Sequence, residues 1–189
     1  LAQLHGKPLL QWIWEAASAV TFFDSVVFAI DAPETAAVIK SFGGRSVMTS
    51  VACQSGTDRL VELATSGQLQ ADIWVNWQGD EPFIDQSMIA ELLQSIDDEH
   101  GEMWTLKKII TNPDDIASPK VAKVVCDKQG RALYFSRAAI PFFREERDPE
   151  KLIKKQVYYK HVGLYAFTTA ALKKIAAMGQ SVYEDAEKL

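Results

Sequence analysis

The sequence has few of the residues that build metal clusters and disulfide frameworks. Its 189 residues include two cysteines, Cys53 and Cys126, and three histidines. The cysteines lie far apart and fit no zinc spacing, so we expect two free, buried thiols in a reducing compartment. This pattern argues against a structural zinc site and against a small secreted fold held by disulfides.

The chain also lacks a long apolar run and an excess of positive charge. No apolar stretch approaches the ~20 residues of a membrane-spanning helix, and no signal peptide is visible. The formal net charge of -5 argues against a broad nucleic-acid-binding surface. We therefore expect a cytoplasmic protein without a membrane or nucleic-acid partner, although an anionic small ligand needs only a few local cations.

The first half of the chain alternates short apolar strands with amphipathic helices. This β-α-β-α order, with connections of a few residues, implies right-handed crossovers and an α/β fold with a doubly wound, mostly parallel sheet. Strands are predicted at 25–30, 45–50 and 72–78, and helices at 8–20, 32–44, 57–67 and 85–97.

The pattern changes after residue 120. Two apolar segments, 121–127 and 131–138, are separated by the turn residues 128–130. This arrangement predicts an antiparallel hairpin that extends the sheet. A further strand is predicted at 159–167, so the sheet as a whole is expected to be mixed.

Helix-capping residues mark the last part of the chain. Thr168 or Thr169 is placed to cap one helix, and Ser181 with Glu184 forms the capping box of another. The polar stretch 144–155 is predicted to be an exposed, mobile loop.

Both ends differ from those of a complete doubly wound domain. The chain begins directly at a helix, without the opening strand and glycine-rich loop that such folds normally have, and it stops inside a helix. We therefore expect one domain over residues 1–189 that lacks its first strand, its phosphate loop and its C-terminal segment.

Carboxylates follow a buried strand in the stretch VNWQGDEPFI. Ligands of open α/β sheets bind outside the carboxyl ends of the strands, which is where Gln78, Gly79, Asp80 and Glu81 are expected. Asp80 is placed to hold a hard cation such as Mg²⁺, which takes one or two carboxylates plus phosphate oxygens. The alternative from the bare pattern is a solvated turn.

A second candidate is the stretch QSGTDRL at a predicted helix start. Ser55 or Thr57 could simply cap the helix, with Asp58 favouring its positive end. The functional alternative uses the same groups, because hydroxyls and N–H groups at a helix start can hold an anion or read a base edge.

Four segments together resemble one family. QSGTDRL, VNWQGDEPFI, ALYFSRAAIPF and KHVGLYAF occur in the order and at the distances typical of 3-deoxy-manno-octulosonate cytidylyltransferases, also called CMP-Kdo synthetases. The resemblance implies a fold of the nucleotide-diphospho-sugar transferase type and a homodimer. It also implies Mg²⁺-dependent transfer of CMP from CTP to the sugar acid Kdo, with release of pyrophosphate, for lipopolysaccharide assembly.

The resemblance also implies roles for residues near the nucleotide. Asp80 matches the Mg²⁺ ligand of the family, and a bound metal would bridge phosphate oxygens. Ser55, Gly56 and Thr57 match the segment that contacts the cytosine nucleotide.

Other matched residues are implied to contact the sugar acid. They are Gln78, Arg137, His161 and Tyr165, and an arginine suits a carboxylate because its guanidinium can bind it bidentately. His161 and Tyr165 lie four apart on a predicted strand and so face the same side. Lys123, on the first hairpin strand, is either an anion contact or a solvated lysine.

The chain departs from the family pattern at several positions. A cysteine, Cys53, stands where the family usually has His, and Trp77 replaces a smaller apolar residue. Lys7 aligns better with a later segment of the family than with its phosphate loop, so it is not assigned to the site. The other departures are Ser118, Lys120, Lys107 and Lys108.

Two other functions stay open. A sialic-acid cytidylyltransferase shares the fold and reaction type, and a non-catalytic nucleotide-binding or dimerising homologue would explain the departures. Because the apparent fragment lacks parts of the family's site, we expect weak or no turnover from these 189 residues alone. The hairpin at 121–140 has apolar residues at too many positions for an exposed face, which favours subunit pairing.

Overall fold

The computed structural model describes residues 2–98, 101–179 and 181–187, which form helices and strands of an α/β protein. In chain order the elements are β1 (Gln3–Leu4), β2 (Lys7–Pro8), α1 (Leu9–Ser18), β3 (Phe28–Ile30), α2 (Pro33–Ser41), β4 (Ser46–Met48), α3 (Gly56–Ser66), β5 (Ile73–Asn76), α4 (Gln86–Leu93), β6 (Met103–Ile109), α5 (Asp114–Ala117), β7 (Lys123–Cys126), β8 (Ala132–Ser136), α6 (Pro149–Ile153), β9 (Tyr159–Thr168), α7 (Thr169–Ala176) and α8 (Val182–Glu187).

The chain divides into two compact units. Unit 1 comprises Leu1–Trp104 and Leu164–Met178, and unit 2 comprises Thr105–Gly163 and Gly179–Leu189. Strand β9 therefore contributes its first half to unit 2 and its second half to unit 1. The expectation of a single domain over residues 1–189 stays a prediction.

Unit 1 contains the alternating strands and helices. Strand β3 pairs in parallel with β4, whereas β5 pairs antiparallel with the second half of β9, with Trp74 opposite Phe167. The expected α/β class with mixed strand pairing is confirmed. Helices α3 and α7 contribute to one buried cluster around this pair, made of Leu63, Trp74, Phe167, Ala171 and Leu172.

Short-range hydrogen bonds set the helix starts in unit 1. The Ser55 hydroxyl accepts from the Asp58 N–H, and the Asp58 carboxylate accepts from the Ser55 N–H, which completes a capping box at α3. The Thr168 hydroxyl caps α7 by accepting from the Ala171 N–H. Ser55 and Thr168 are therefore the caps among the candidates that the sequence offered.

Unit 2 is built on the predicted hairpin. Strands β7 and β8 pair antiparallel, with Val124 opposite Phe135. Strand β7 also pairs with the first half of β9, where Lys123 lies opposite Lys160. A second apolar cluster forms in this unit from Ile110, Ile116, Leu152 and Tyr158.

Two expectations about local structure were wrong. Helix α1 does not open the chain, because the short antiparallel pair β1–β2 precedes it. The stretch 144–155 is not wholly an exposed loop, since it contains α6. There the Asp148 carboxylate caps the helix and Leu152 is buried.

The predicted capping box of α8 is confirmed, with Ser181 and Glu184 exchanging hydrogen bonds.

The helices of the described ranges are short. None of them combines the length and apolar character required to cross a bilayer.

Candidate functional site

The acidic stretch after β5 forms an exposed turn. Strand β5 ends at Asn76, and Gln78 and Asp80 beyond it are exposed. The Glu81 N–H donates to the Gln78 carbonyl at 3.2 Å, and the Trp77 indole N–H donates to the Glu81 carbonyl at 2.8 Å. These two bonds close the turn around Asp80, so its carboxylate is carried by constrained backbone.

The first turn of α3 approaches the end of β5 closely. A Cβ atom on Gly56 would lie 3.1 Å from both Nδ2 and Oδ1 of Asn76, closer than side chains usually pack. A glycine at this position lets the helix start lie against the strand end. The predicted nucleotide segment, Ser55 to Thr57, is thus beside the strand that leads to Asp80.

Tyr165 lies on the neighbouring strand of the same unit. It is opposite Asn76 in the β5–β9 pair, and its ring stacks on Phe167 with centroids 5.7 Å apart. Burial raises the pKa of the Tyr165 hydroxyl above its ordinary value. Unit 1 therefore groups the start of α3, the end of β5 and Tyr165.

Arg59 ties together the ends of two strands, a role that the sequence reading missed. Its Nη2 donates to Oδ2 of Asp31 at 2.7 Å, and its Nη1 donates to Oγ1 of Thr49 at 2.6 Å. Asp31 directly follows β3 and Thr49 directly follows β4. The available signal was the arginine inside QSGTDRL, one turn after the helix cap.

Cys53 lies in the loop before α3, where the family resemblance predicts His. Both cysteines are free thiols, as expected, but they are half-buried rather than buried. The Cys53 thiol donates to Oε2 of Glu62 at 3.1 Å, and the same carboxylate accepts from the Ser50 N–H. Burial, followed by the Glu62 contact, raises the pKa of the Cys53 thiol.

His161 lies on the first half of β9, in unit 2. Its Nε2 is 2.9 Å from Oγ1 of Thr105, and its ring packs edge-on to Phe135 with centroids 5.0 Å apart. Burial lowers the pKa of His161 below its ordinary value. The environment therefore favours a neutral imidazole, which can donate and accept hydrogen bonds but carries no charge for an anion.

Arg137 immediately follows β8 in unit 2. Its Nε donates to the Glu187 carbonyl at 2.7 Å and its Nη1 donates to the Pro119 carbonyl at 2.9 Å. The Arg137 main-chain N–H also donates to the Glu187 carboxylate at 2.9 Å. A sugar carboxylate that binds Nε must therefore displace the Glu187 carbonyl.

Lys123 takes neither of the two roles considered for it. Its side chain is fully buried, and its ammonium donates to the carbonyl oxygens of Ser118, Val121 and Arg137. It is therefore not a solvated surface lysine, and its protons are used by the protein rather than by an exposed anion. The sequence missed this because the three acceptors come from two separate segments.

The acidic turn fits a metal only when a substrate completes the coordination. Within residues 2–98, 101–179 and 181–187, no three His, Cys, Asp or Glu side chains cluster as a metal site. Asp80 offers a single exposed carboxylate. Mg²⁺ commonly binds one or two carboxylates and takes its other ligands from phosphates and water, so the donor set suits a metal delivered with a nucleotide.

Another depression in unit 1 lies away from these residues. It has a volume of about 580 Å³ and is lined by Gly67, Asp72 and Lys173 among others. Gly67 follows the last turn of α3 and Asp72 precedes β5, so the depression is at the opposite ends of the elements that carry Gly56 and Asn76. It takes no part in the chemistry of the acidic turn.

The fold and the grouped residues define a nucleotide-binding α/β protein. A helix start beside a strand end that leads to a carboxylate is the arrangement with which such folds hold phosphates. The family comparison is more specific: the cytidylyltransferase model matches residues 1–189. The chain belongs to the cytidylyltransferase family.

The curated relatives narrow the family further. A 3-deoxy-manno-octulosonate cytidylyltransferase of Geotalea daltonii is 42% identical over 194 residues, covering 100% of this chain and 76% of the relative. The enzyme of the same name from Aliivibrio fischeri is 40% identical over 190 residues, covering 100% of this chain and 76% of the relative. The chain thus corresponds to about three quarters of these enzymes.

Solved structures agree with the sequence relatives. A CMP:2-keto-3-deoxy-manno-octonic acid synthetase complexed with CTP has a TM-score of 0.89 and 37% identity, covering 100% of this chain and 75% of that one. A 4-diphosphocytidyl-2C-methyl-D-erythritol synthase from Anaerococcus prevotii has a TM-score of 0.59 and 13% identity, covering 98% and 72%. The second likeness extends to the fold alone.

Proposed function

We propose that the protein transfers CMP from CTP to the 2-hydroxyl of Kdo and releases pyrophosphate. The hydroxyl oxygen attacks the α-phosphorus of CTP, the bond from that phosphorus to the bridging oxygen of pyrophosphate breaks, and the hydroxyl proton passes to water. The observation that carries the proposal is the approach of Gly56 to Asn76, which sets the α3 start beside the strand leading to Asp80. The relatives supply the substrate pair.

The residues of unit 1 suit the nucleotide end of this reaction. The Ser55 hydroxyl accepts from the Asp58 N–H, which leaves its own proton to donate to a base or phosphate oxygen. Gly56 and Thr57 follow in the first turn of the helix, where the helix dipole favours anions. Gln78 and Tyr165 are the proposed sugar contacts of this unit.

Asp80 is the proposed Mg²⁺ ligand. Bound with CTP, the ion would neutralise charge on the phosphate oxygens and polarise the α-phosphorus. The protein's own contribution is positional: the bonds from Trp77 and Glu81 constrain the turn, so the backbone that carries the Asp80 carboxylate is fixed before the nucleotide arrives.

The residues of unit 2 suit the sugar acid. Arg137 is the proposed partner of its carboxylate, because a guanidinium recognises that group bidentately. The neutral imidazole of His161 is the proposed contact for a sugar hydroxyl, to which it can donate or from which it can accept a hydrogen bond.

The assembly proposed for this enzyme is a cytoplasmic homodimer that serves lipopolysaccharide synthesis. Leu133 and Tyr134 are exposed apolar side chains that point to opposite faces of strand β8, and this exposure favours a partner that covers the hairpin. The free thiols of Cys53 and Cys126 suit a reducing compartment. Light scattering at micromolar concentrations tests the dimer, and a monomer throughout that range would contradict it.

Pyrophosphate release with CTP, Kdo and Mg²⁺ tests the reaction. The protein should be expressed with whatever coding sequence flanks these residues in its gene. Asp80→Asn should lower turnover by about a hundredfold or more, since the substitution removes the carboxylate proposed to hold the Mg²⁺ ion that would neutralise charge in the transition state. Glu81→Gln, at the exposed neighbouring carboxylate, is the matched control and should retain most of the activity.

Two results would favour the alternatives. Faster turnover with N-acylneuraminate than with Kdo would replace the proposed sugar by sialic acid. Absence of Mg²⁺-dependent CTP binding in a calorimetric titration would replace the enzyme by a non-catalytic homologue.

A further inference from the structure

Lys123 is a buried cation whose hydrogen-bond partners, among the residues that the structure describes, are all main-chain oxygens. Its side chain is 0% exposed. Its Nζ donates to the carbonyl oxygens of Ser118 at 2.8 Å, Val121 at 2.7 Å and Arg137 at 2.5 Å. Three acceptors match the three protons of an ammonium group, whereas a neutral amine would have only two protons to donate.

Burying this charge is costly, so the arrangement calls for an explanation other than stability. Taking an ammonium out of water is strongly unfavourable, and well-packed apolar residues often replace buried ions without loss. Burial lowers the pKa of Lys123, with the Arg137 guanidinium as the next cause, while the Glu187 and Asp115 carboxylates oppose the change. An apolar side chain at this position could not donate hydrogen bonds, so it could not hold the three carbonyls in place as the ammonium does.

Through these bonds the Lys123 ammonium holds Arg137 by two routes. One route is direct, because Lys123 binds the Arg137 carbonyl oxygen. The other passes through the loop before β7, where the bound carbonyls of Ser118 and Val121 flank Pro119. The Pro119 carbonyl in turn accepts from Nη1 of Arg137 at 2.9 Å. The Lys123 ammonium therefore contributes to holding both the main chain and the guanidinium of Arg137, alongside Glu187, which accepts from the Arg137 main-chain N–H and from its Nε.

Strand β7 at Lys123 also lies next to His161. The main-chain N–H of His161 donates to the Ala122 carbonyl at 2.9 Å, and Lys123 lies opposite Lys160 in the β7–β9 pair. The residue before Lys123 thus fixes the main chain of one proposed sugar contact, and Lys123 itself fixes the other.

We infer that Lys123 is a positioning residue for the sugar acid, acting through Arg137 without touching the substrate. The inference rests on the proposed function, since Arg137 is the proposed carboxylate contact. The inference makes different predictions for the two substrates. Loss of the Lys123 ammonium should impair recognition of Kdo, whereas recognition of CTP, by residues of unit 1, should stay largely intact.

Steady-state kinetics of Lys123→Met and Lys123→Gln test this distinction. Lys123→Met removes all three donated bonds, and Lys123→Gln keeps an amide with two protons. The KM for Kdo should rise about tenfold or more in Lys123→Met and less in Lys123→Gln, with the KM for CTP within about twofold of wild type. Lys120→Met, in the same loop but exposed, should change neither constant. Equal increases in both KM values, or no increase, would overturn the inference.

Rescue by a small cation separates positioning from general damage. Lys123→Ala should regain part of its affinity for Kdo in ammonium chloride, because NH₄⁺ can donate to the three carbonyls. Tetramethylammonium chloride at equal ionic strength has no N–H group and should restore nothing. Equal rescue by both salts would contradict the role assigned to the ammonium.

The wild-type protein provides a measurement that needs no folded variant. In ¹⁵N-labelled protein, the proton signals of Lys123 Nζ and Arg137 Nε should both move when Kdo is added and stay in place with CTP alone. A shift of the Arg137 signal without the Lys123 signal would end the positioning role and leave the proposed function standing. Absence of any response of either signal to Kdo, with the Lys123 Nζ and Arg137 Nε protons both slow to exchange with water, would end the Kdo proposal but retain the link between Lys123 and Arg137.

Discussion

The Thr105 hydroxyl oxygen lies 2.9 Å from Nε2 of His161 and 3.2 Å from the carbonyl oxygen of Val162. A hydroxyl has one proton, so when it donates to the carbonyl, its oxygen accepts from a protonated Nε2. This contact orients the His161 ring, and donation by the Thr105 hydroxyl to Val162 favours the neutral tautomer with its proton on Nε2. Burial of the ring also favours the neutral form, because it lowers the pKa of His161.

The lowered pKa of His161 predicts acid sensitivity. In the unfolded chain the His161 imidazole binds a proton near pH 6.5, whereas in the folded chain it binds one only at lower pH. As the pH falls, His161 is therefore protonated first in the unfolded state. The stability contributed by the neutral ring should be complete above about pH 6.5 and decrease as the pH falls through the folded-state pKa. Urea midpoints between neutral and acidic pH measure this.

His161→Asn should flatten that pH dependence by removing the ionisable ring. His5→Asn is the matched control, since it removes an imidazole from an exposed turn and should keep the wild-type profile. Identical profiles for wild type and His161→Asn would contradict the prediction.

Gly56→Ala should weaken both the fold and nucleotide binding. The added Cβ would lie 3.1 Å from two atoms of the Asn76 side chain, and the overpacking should cost about 1 kcal/mol of unfolding free energy. Displacement of the α3 start should also raise the Kd for CTP, measured by calorimetry. Gly179→Ala meets nothing within 4 Å and should match wild type, so equal effects of the two substitutions would contradict this explanation.

Trp77→Phe should raise the Mg²⁺ concentration that CTP binding requires. The substitution keeps an aromatic ring but removes the N–H donor to the Glu81 carbonyl, which loosens the turn carrying Asp80. One lost hydrogen bond of ordinary strength predicts about a fivefold change. Trp104→Phe removes a similar bond, to the Ser95 carbonyl, and should leave the Mg²⁺ dependence unchanged.

Arg59→Met should destabilise unit 1 by about 1–2 kcal/mol, because a partly buried guanidinium loses charge-assisted bonds to Asp31 and Thr49. Arg131→Met removes another Arg–Asp pair, in which the arginine side chain is 77% exposed, and should cost less than about 1 kcal/mol. Denaturant unfolding of the two variants measures the difference, and equal losses would show that Arg59 is only a surface ion pair.

Helix starts were well predicted because their causes are local. The capping boxes at Ser55 and Ser181 each join residues three apart, so the residues that form them can be identified from a short stretch of sequence. The stretch 144–155 shows the limit of this reasoning. Its polar composition suggested a loop, but burial of Leu152 in the second apolar cluster stabilises a short helix there.

The sequence by itself determined the alternation of strands and helices, the helix caps and the motif residues that identify the family. Only the tertiary structure decided that β5 pairs antiparallel with β9 and that Lys123 is buried against carbonyls of two segments. The reason is range: periodicity and caps depend on neighbours within one helical turn. The pairing of β5 and the acceptors of Lys123 depend on residues that only folding brings close.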